Sequence, residues 1–187
     1  MKKNFEPEVI VIDVESTCWE PASSKPKDEM SEIIEIGVTV VDISKLEIKT
    51  NVSILIKPCR STITAFCTKL TTLTPEIVNQ GISYREACDK LCNDFASQNK
   101  TMISWGDYDR KMFEKNGTYH NCKYPFGPRH LNLKNCFTIL HGLSREPGME
   151  EVLDMLKIPL EGTHHRGCDD SKNIAKILIH CLEKFRK

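Results

Sequence analysis

The unbroken apolar run Val9-Ile10-Val11-Ile12, closed by Asp13-Val14-Glu15, constrains this chain more than any other segment. A run of β-branched residues with no polar interruption reads as a fully buried strand over 9–14. Side chains at i and i+2 of a strand leave the same face, so Asp13 and Glu15 stand side by side where that strand emerges. Two adjacent carboxylates repel, and a hard divalent cation with oxygen ligands is the natural group to sit between them. Taken alone, the pair is better read as an acidic, solvated strand end.

Segments 33–43 and 48–56, rich in Val and Ile, read as two further strands joined by a hairpin turn over 42–46. Segment 21–30, polar with two prolines and two lysines, reads as a loop. Thr74-Pro75-Glu76 starts a short helix that Gly81 ends, and Ser83-Tyr84-Arg85-Glu86 is a capping box for a longer one bearing Ala87, Leu91, Cys92 and Phe95 on one stripe. A short strand over 101–105 leads directly into a helix over 107–116, and 117–130, with two prolines and two glycines, reads as a long loop. Two more helical patterns follow, the second with Met149, Val152, Leu153 and Leu156 at i, i+3, i+4 and i+7. The last helix begins near Asp169 and buries Ile174, Ile177, Leu178, Cys181, Leu182 and Phe185. A hairpin followed by alternating strands and helices implies an α/β fold with a mixed sheet flanked by helices, in a single domain over 1–187 with its core at about 9–179.

With 26 basic and 26 acidic residues the chain has no global field for a long nucleic acid or a membrane surface, so a polyanion must be gripped locally and binding should carry a modest salt dependence. No apolar stretch approaches the roughly 18 residues that span a bilayer. Nine cysteines, an odd number, with no signal-peptide pattern at the Met1-Lys2-Lys3-Asn4 start, argue for a reducing, cytoplasmic setting. No Cys-x-x-Cys pair occurs; Cys88 and Cys92 read as small hydrophobes on a helix, and a zinc site using His120 and Cys122 would fit no usual ligand spacing.

Two more acids lie on inward stripes. Asp109 shares its face with Met112 and Phe113, whereas Asp107 aligns with Arg110 and Lys111 and reads as a solvated helix cap. Asp170 lines up with Ile174, Ile177 and Cys181, while Asp169 sits about 100° away round the helix. A carboxylate on a core-facing stripe is costly unless paired or bound to a cation. His165, in the loop Gly162-Thr163-His164-His165-Arg166-Gly167, titrates near neutrality and suits a general base.

The order Asp13-x-Glu15, Asp109, His165-x-x-x-x-Asp170, with surroundings Val-Ile-Asp-Val-Glu-Ser-Thr-Cys, Ser-Trp-Gly-Asp-Tyr-Asp-Arg and His-Arg-Gly-Cys-Asp-Asp-Ser-Lys-Asn-Ile-Ala, resembles the DEDDh class of 3′-to-5′ exonucleases with the DnaQ-like, ribonuclease H-like fold. Glu32-Ile33-Ile34-Glu35-Ile36-Gly37 and Phe66-Cys67-x-x-Leu70-Thr71 are similar to the Eri-type exoribonucleases, a group that includes the 3′ histone-mRNA exonuclease and KapD-like proteins. The resemblance implies that Asp13, Glu15, Asp109 and Asp170 hold two Mg²⁺ or Mn²⁺ ions, that His165 takes a proton from the attacking water, and that nucleoside 5′-monophosphates leave one at a time from RNA 3′ ends, single-stranded or with a short overhang. It further implies that Glu15, Ser16, Thr17, Leu70, Thr71, Trp105 and His165 form the pocket for the last nucleotide, with Trp105 as a stacking surface. Lys123, Arg129, Lys134, Arg166 and Lys172 are candidate phosphate contacts. DNA as the substrate, or a non-catalytic binding module on the same fold, are the competing readings.

Overall fold

The computed structural model describes residues 7–186; residues 1–4, read above for a signal peptide, lie outside them. Five strands, β1 (Glu8–Ser16), β2 (Ile33–Asp42), β3 (Glu47–Leu55), β4 (Thr101–Ser104) and β5 (His130–Asn132), form one sheet in the order β3-β2-β1-β4-β5. β1 runs antiparallel to β2, and β2 to β3, whereas β1, β4 and β5 are parallel. The apolar run therefore lies in the middle of a mixed sheet, as a strand without polar relief requires.

Alternation along β1 divides the core in two. Ile10, Ile12 and Val14 pack with Ala87 and Leu91 of α3 (Tyr84–Phe95) and Met112 and Phe113 of α4 (Tyr108–Tyr119). Val9 and Val11 face the other way, onto Leu133 and Phe137 of α5 (Leu133–Leu140), Val152 and Leu153 of α6 (Met149–Leu156), and Ile174, Ile177 and Leu178 of α7 (Gly167–Phe185). Each large side chain sealed this way contributes roughly 1.5–3 kcal/mol. By the same alternation, Asp13 and Glu15 belong to the α7 face.

Local signals place the elements. Oδ1 of Asp42 accepts from the Ser44 and Lys45 backbone N–H groups at 2.9 and 3.1 Å and closes the β2–β3 hairpin, with Leu46 left-handed at φ 60°. Ser83 and Glu86 form the capping box of α3, and Thr74 caps the single-turn α2 (Pro75–Val78). Within segment 21–30 only Ala22–Ser24 form a short 3₁₀ turn.

Several expectations are corrected. The loop expected over 117–130 is shorter, because α4 continues to Tyr119 and β5 begins at His130, a strand too short to carry a period. Helix α1 (Ala65–Thr71), capped by Thr64, was not anticipated from its Thr-rich sequence. Phe185, expected in the core, is 80% exposed, since the last turn of α7 runs past the sheet. Asp107 occupies the N-cap position of α4 but makes no capping bond; it lies 3.8 Å from Arg110 and 3.9 Å from His130. All nine cysteines are free, and no helix among the described residues is long and apolar enough to cross a membrane.

Candidate active site

In the β1–β2 register Asp13 lies opposite Gly37 and Glu15 opposite Glu35. Gly37 is required here by close approach: a Cβ on it would fall 1.8 Å from the Gly167 carbonyl oxygen. The first residue of α7 thus rests directly on β2, and Gly167 in turn has room for a Cβ only at 3.0 Å from the Asp13 carbonyl oxygen. Glu35 fixes the junction. Fully buried, it accepts from Arg166 Nε and Nη2, both at 3.1 Å, from the Gly167 backbone N–H at 2.9 Å and from the Ser53 hydroxyl at 2.5 Å. Such a bidentate guanidinium pair supplies geometry as well as charge.

With the helix start pinned, Asp170 arrives one turn later, inward and 4% exposed, and carboxylate oxygens of Asp13, Glu15 and Asp170 lie within 4.8 Å of one another. Asp109, also 4% exposed, comes from the first turn of α4 and accepts the Val14 backbone N–H at 3.0 Å, which ties it to the same strand end. All four acids line one cavity of about 310 Å³ together with Trp105, Tyr108, Gly148, Met149, His164 and His165.

The loop before α7 is shaped by polar staples. Asp169 accepts the Thr163 N–H at 2.8 Å, and buried Asn173 bonds the backbone of Glu161 in both directions. His165 is left-handed at φ 64°, its N–H donates to Asp170 Oδ2 at 2.9 Å, and its ring stacks on His164 with centroids 4.0 Å apart. The two histidines are not equivalent: His164 Nδ1 lies 3.1 Å from Asp170, whereas the His165 ring has no hydrogen-bond partner among the described residues.

Burial raises all four acids, and repulsion from neighbouring carboxylates adds to it at Asp13, Glu15 and Asp109. Glu15 is pushed up to about 9, first by burial and then by Asp170, Glu35 and Asp109. Burial and the charges of Asp109, Glu15 and Asp170 hold Asp13 well above the usual carboxylate range. Asp109 rises to about 7 through burial, opposed by the Val14 N–H, and Asp170 rises through burial, opposed by His164. Burial and the neighbouring His164 keep His165 below its ordinary value, in the neutral form a base requires. A pocket of hard oxygen donors, each strained toward protonation for want of positive charge, fits divalent cations of the Mg²⁺ and Mn²⁺ kind.

The RNase_T family model, described as an exonuclease, matches residues 10–178, which take in all five of these residues. This chain belongs to that exonuclease family. Among curated proteins it is 26% identical over 185 residues to the 3′-5′ exoribonuclease 1 of Rattus norvegicus, covering 94% of this chain and 53% of that protein. It is 25% identical over 170 residues to the probable 3′-5′ exonuclease KapD of Bacillus subtilis, covering 90% of this chain and 82% of KapD. The chain spans about half the length of the first of these relatives. Among solved structures, the nuclease domain of 3′hExo, a DEDDh family member bound to rAMP, superimposes with a TM-score of 0.87 at 24% identity, covering 97% of this chain and 94% of that one. The fold is thus that of the DEDDh, ribonuclease H-like exonucleases. An exonuclease-fold neighbour at 16% identity and TM-score 0.71, S. pombe Pop2p, was solved in a Mg²⁺- and Mn²⁺-bound form.

The expected nucleotide pocket is placed only in part. Glu15, Trp105 and His165 line the cavity, and Trp105 is held by a bond from its ring N–H to the Pro147 carbonyl at 3.2 Å. Ser16 sits beside it, its hydroxyl 2.8 Å from that of Tyr108. Thr17 and Thr71 are both fully buried, with the Thr17 hydroxyl accepting the Glu32 N–H at 2.9 Å and the Thr71 hydroxyl donating to the Cys67 carbonyl at 2.9 Å. Leu70 is half-buried on α1 and does not line the carboxylate cavity. Of the five basic candidates, Lys134 acts electrostatically on the site through Asp109, and Arg166 through Glu15. Arg166 is committed to Glu35, Lys172 pairs with Glu161 at 2.6 Å, Arg129 bonds the Asn99 carbonyl at 2.5 Å, and Lys123 lines a different cavity with Arg85 and Cys88. Sequence reasoning missed Glu35, Tyr108 and Asn173. Asn173, a polar residue on the inward stripe of α7, carried the same signal that singled out Asp170.

Proposed function

We propose that this chain is a divalent-metal-dependent 3′-to-5′ exoribonuclease that releases nucleoside 5′-monophosphates from RNA 3′ ends. The observation that carries the reading is the convergence of four acids, Asp13 half-buried and the other three buried, all raised in pKa, around one cavity beside an unpaired histidine. Asp13, Glu15, Asp109 and Asp170 are the residues that would hold two Mg²⁺ or Mn²⁺ ions. When bound, such a pair stabilises both the attacking and the leaving oxygen of an in-line phosphodiester displacement. His165, with its ring free and neutral, receives the proton of the attacking water. Asp170 orients that loop by accepting the His165 N–H, and His164 stacks behind the ring. Trp105 offers a face to the terminal base, and Tyr108, whose hydroxyl lies 2.8 Å from that of Ser16, lines the same cavity.

RNA is favoured over DNA by the exoribonuclease names of the curated relatives. Neighbours solved with DNA, such as Exonuclease X with a 5′-overhanging duplex, are more distant, at 16% identity and a TM-score of 0.62. The unit proposed is a single catalytic domain acting in the cytoplasm on single-stranded or short-overhang 3′ ends.

5′-Labelled single-stranded RNA incubated with the protein and Mn²⁺ is expected to shorten to a ladder, with EDTA abolishing it and matched DNA degraded more slowly. Asp13→Ala abolishes the ladder, and His165→Ala slows it by roughly 10²- to 10⁴-fold. Intact RNA across a range of divalent ions refutes the proposal, faster loss of DNA reverses the substrate assignment, and full activity in His165→Ala refutes the base.

A further inference from the structure

Away from the carboxylate cavity, three donor side chains of different chemistry converge from three separate segments. Glu32 lies just before β2, Cys59 in the loop after β3, and His120 at the C-terminal cap of α4. Cys59 Sγ is 3.3 Å and His120 Nε2 is 3.4 Å from the same oxygen, Glu32 Oε1, and the three donor atoms all lie within 4.8 Å of one another. Glu32 is 1% exposed and rigidly aimed, accepting the backbone N–H groups of Cys59, Arg60 and Ser61 at 3.0, 2.9 and 2.6 Å. These bonds keep its carboxyl below the usual range despite burial, so the oxygen facing the thiol and the imidazole is charged.

A fourth group faces the same space. The Tyr119 hydroxyl is shielded from water beside Cys59 and Glu32 and has no hydrogen-bond partner among the described residues. A shielded polar atom without a partner is rare and calls for an explanation, an ion included. The Tyr119 ring also meets His120 edge-on at 4.9 Å, with Arg60 stacked over it at 5.0 Å, so both flanking side chains are held in place.

We infer that Glu32, Cys59 and His120 form a binding site for one zinc-class divalent cation, separate from the acidic cavity. A thiolate, an imidazole and a carboxylate suit zinc, whereas Mg²⁺ and Mn²⁺ select oxygen. Tetrahedral coordination at ordinary zinc bond lengths places neighbouring donor atoms about 3.3–3.6 Å apart, close to the two contacts already present. On binding, the Cys59 S–H bond breaks, its proton leaves to solvent, and the sulfur lone pair bonds the ion where that proton had pointed at Glu32. His120 ligates through the lone pair of Nε2 with its proton on Nδ1. No electron transfer is needed, and the Tyr119 hydroxyl or a water completes the shell. The ion would clip the start of β2, the loop after β3 and the end of α4 to one another. Cys122, paired with His120 in the sequence reading, is directed elsewhere, its thiol donating to the His120 carbonyl at 3.4 Å.

Co²⁺ added to reduced, EDTA-stripped protein tests this assignment, because a cobalt–thiolate charge-transfer band arises only from a sulfur ligand. The band is expected in the wild type and in Asp13→Asn, and is expected to be lost in Cys59→Ser and in His120→Gln. In the unmutated protein Zn²⁺ is expected to protect Cys59, which is exposed, from alkylation mapped by mass spectrometry. Absence of the band in the wild type, its persistence in Cys59→Ser, or alkylation of Cys59 at an unchanged rate under Zn²⁺ would each overturn the site.

Discussion

Replacing Gly37 by alanine tests the idea that the acidic cavity is assembled by seating α7 on β2. The added methyl would fall 1.8 Å from the Gly167 carbonyl oxygen and 2.0 Å from its carbon, against a floor of 3.0 Å that real Cβ atoms respect. Both obstructing atoms are backbone, so no rotamer relieves the clash. The start of α7 must retreat by about 1.2 Å. That movement loosens the Glu35 bond to the Gly167 N–H and carries Asp170 away from Asp13 and Glu15.

Overpacking of this kind costs about 1–3 kcal/mol in stability. Misplacing a catalytic group by about 1 Å costs on the order of 10²-fold in rate. Gly37→Ala is therefore expected to remain folded by circular dichroism, to melt in urea at lower concentration, and to lose about two orders of magnitude in RNA turnover at saturating Mn²⁺. Gly167→Ala provides the graded comparison: its methyl would meet the Asp13 carbonyl oxygen and the Gly37 nitrogen at 3.0 Å, so a shift of a few tenths of an ångström suffices and the loss should be far smaller. Wild-type turnover and metal affinity in Gly37→Ala, or equal damage from the two variants, would refute the seating argument.

Arg166→Ala separates a positioning role from a phosphate contact. Removing the guanidinium leaves Glu35 charged and fully buried, so the urea midpoint should fall by an amount equivalent to roughly 3 kcal/mol; a raised KM for RNA at unchanged stability would contradict this. The acidic cavity also makes the metal-free fold sensitive to pH. Its carboxyls have raised native pKa values, so the folded state binds more protons than the unfolded chain, and stability falls as pH rises between about 4.5 and about 9 for Glu15. At neutrality Glu15 alone accounts for about 3 kcal/mol of that loss. Calorimetry in EDTA should show a higher Tm at about pH 6 than at about pH 8, and Mg²⁺ or Mn²⁺ should raise Tm more at the higher pH. A Tm that climbs with pH in EDTA would contradict the repulsion argument.

What the sequence made legible, and what it did not, divides along one physical line. Asp109 and Asp170 could be found because each is an acid on an otherwise apolar helical stripe, and their burial beside Asp13 and Glu15 follows from periodicities of 3.6 and 2. β5 and α1 escaped because three and seven residues do not sustain a period, and because tertiary contact rather than propensity defines them. The hydroxyl partners of Thr17 and Thr71 were not legible, because a hydroxyl's partner is decided by which backbone group lies opposite it in the fold. Glu35 is the instructive case. In Ile33-Ile34-Glu35-Ile36-Gly37 it is an acid inside an apolar strand, the same anomaly that marked Asp13, but its partner Arg166 lies 131 residues away. The anomaly announces that a buried charge must be met. Only the fold reveals whether a metal or a guanidinium meets it, and here adjacent strands carry one of each kind: β2 a carboxylate already matched by arginine, β1 two that are still unmatched.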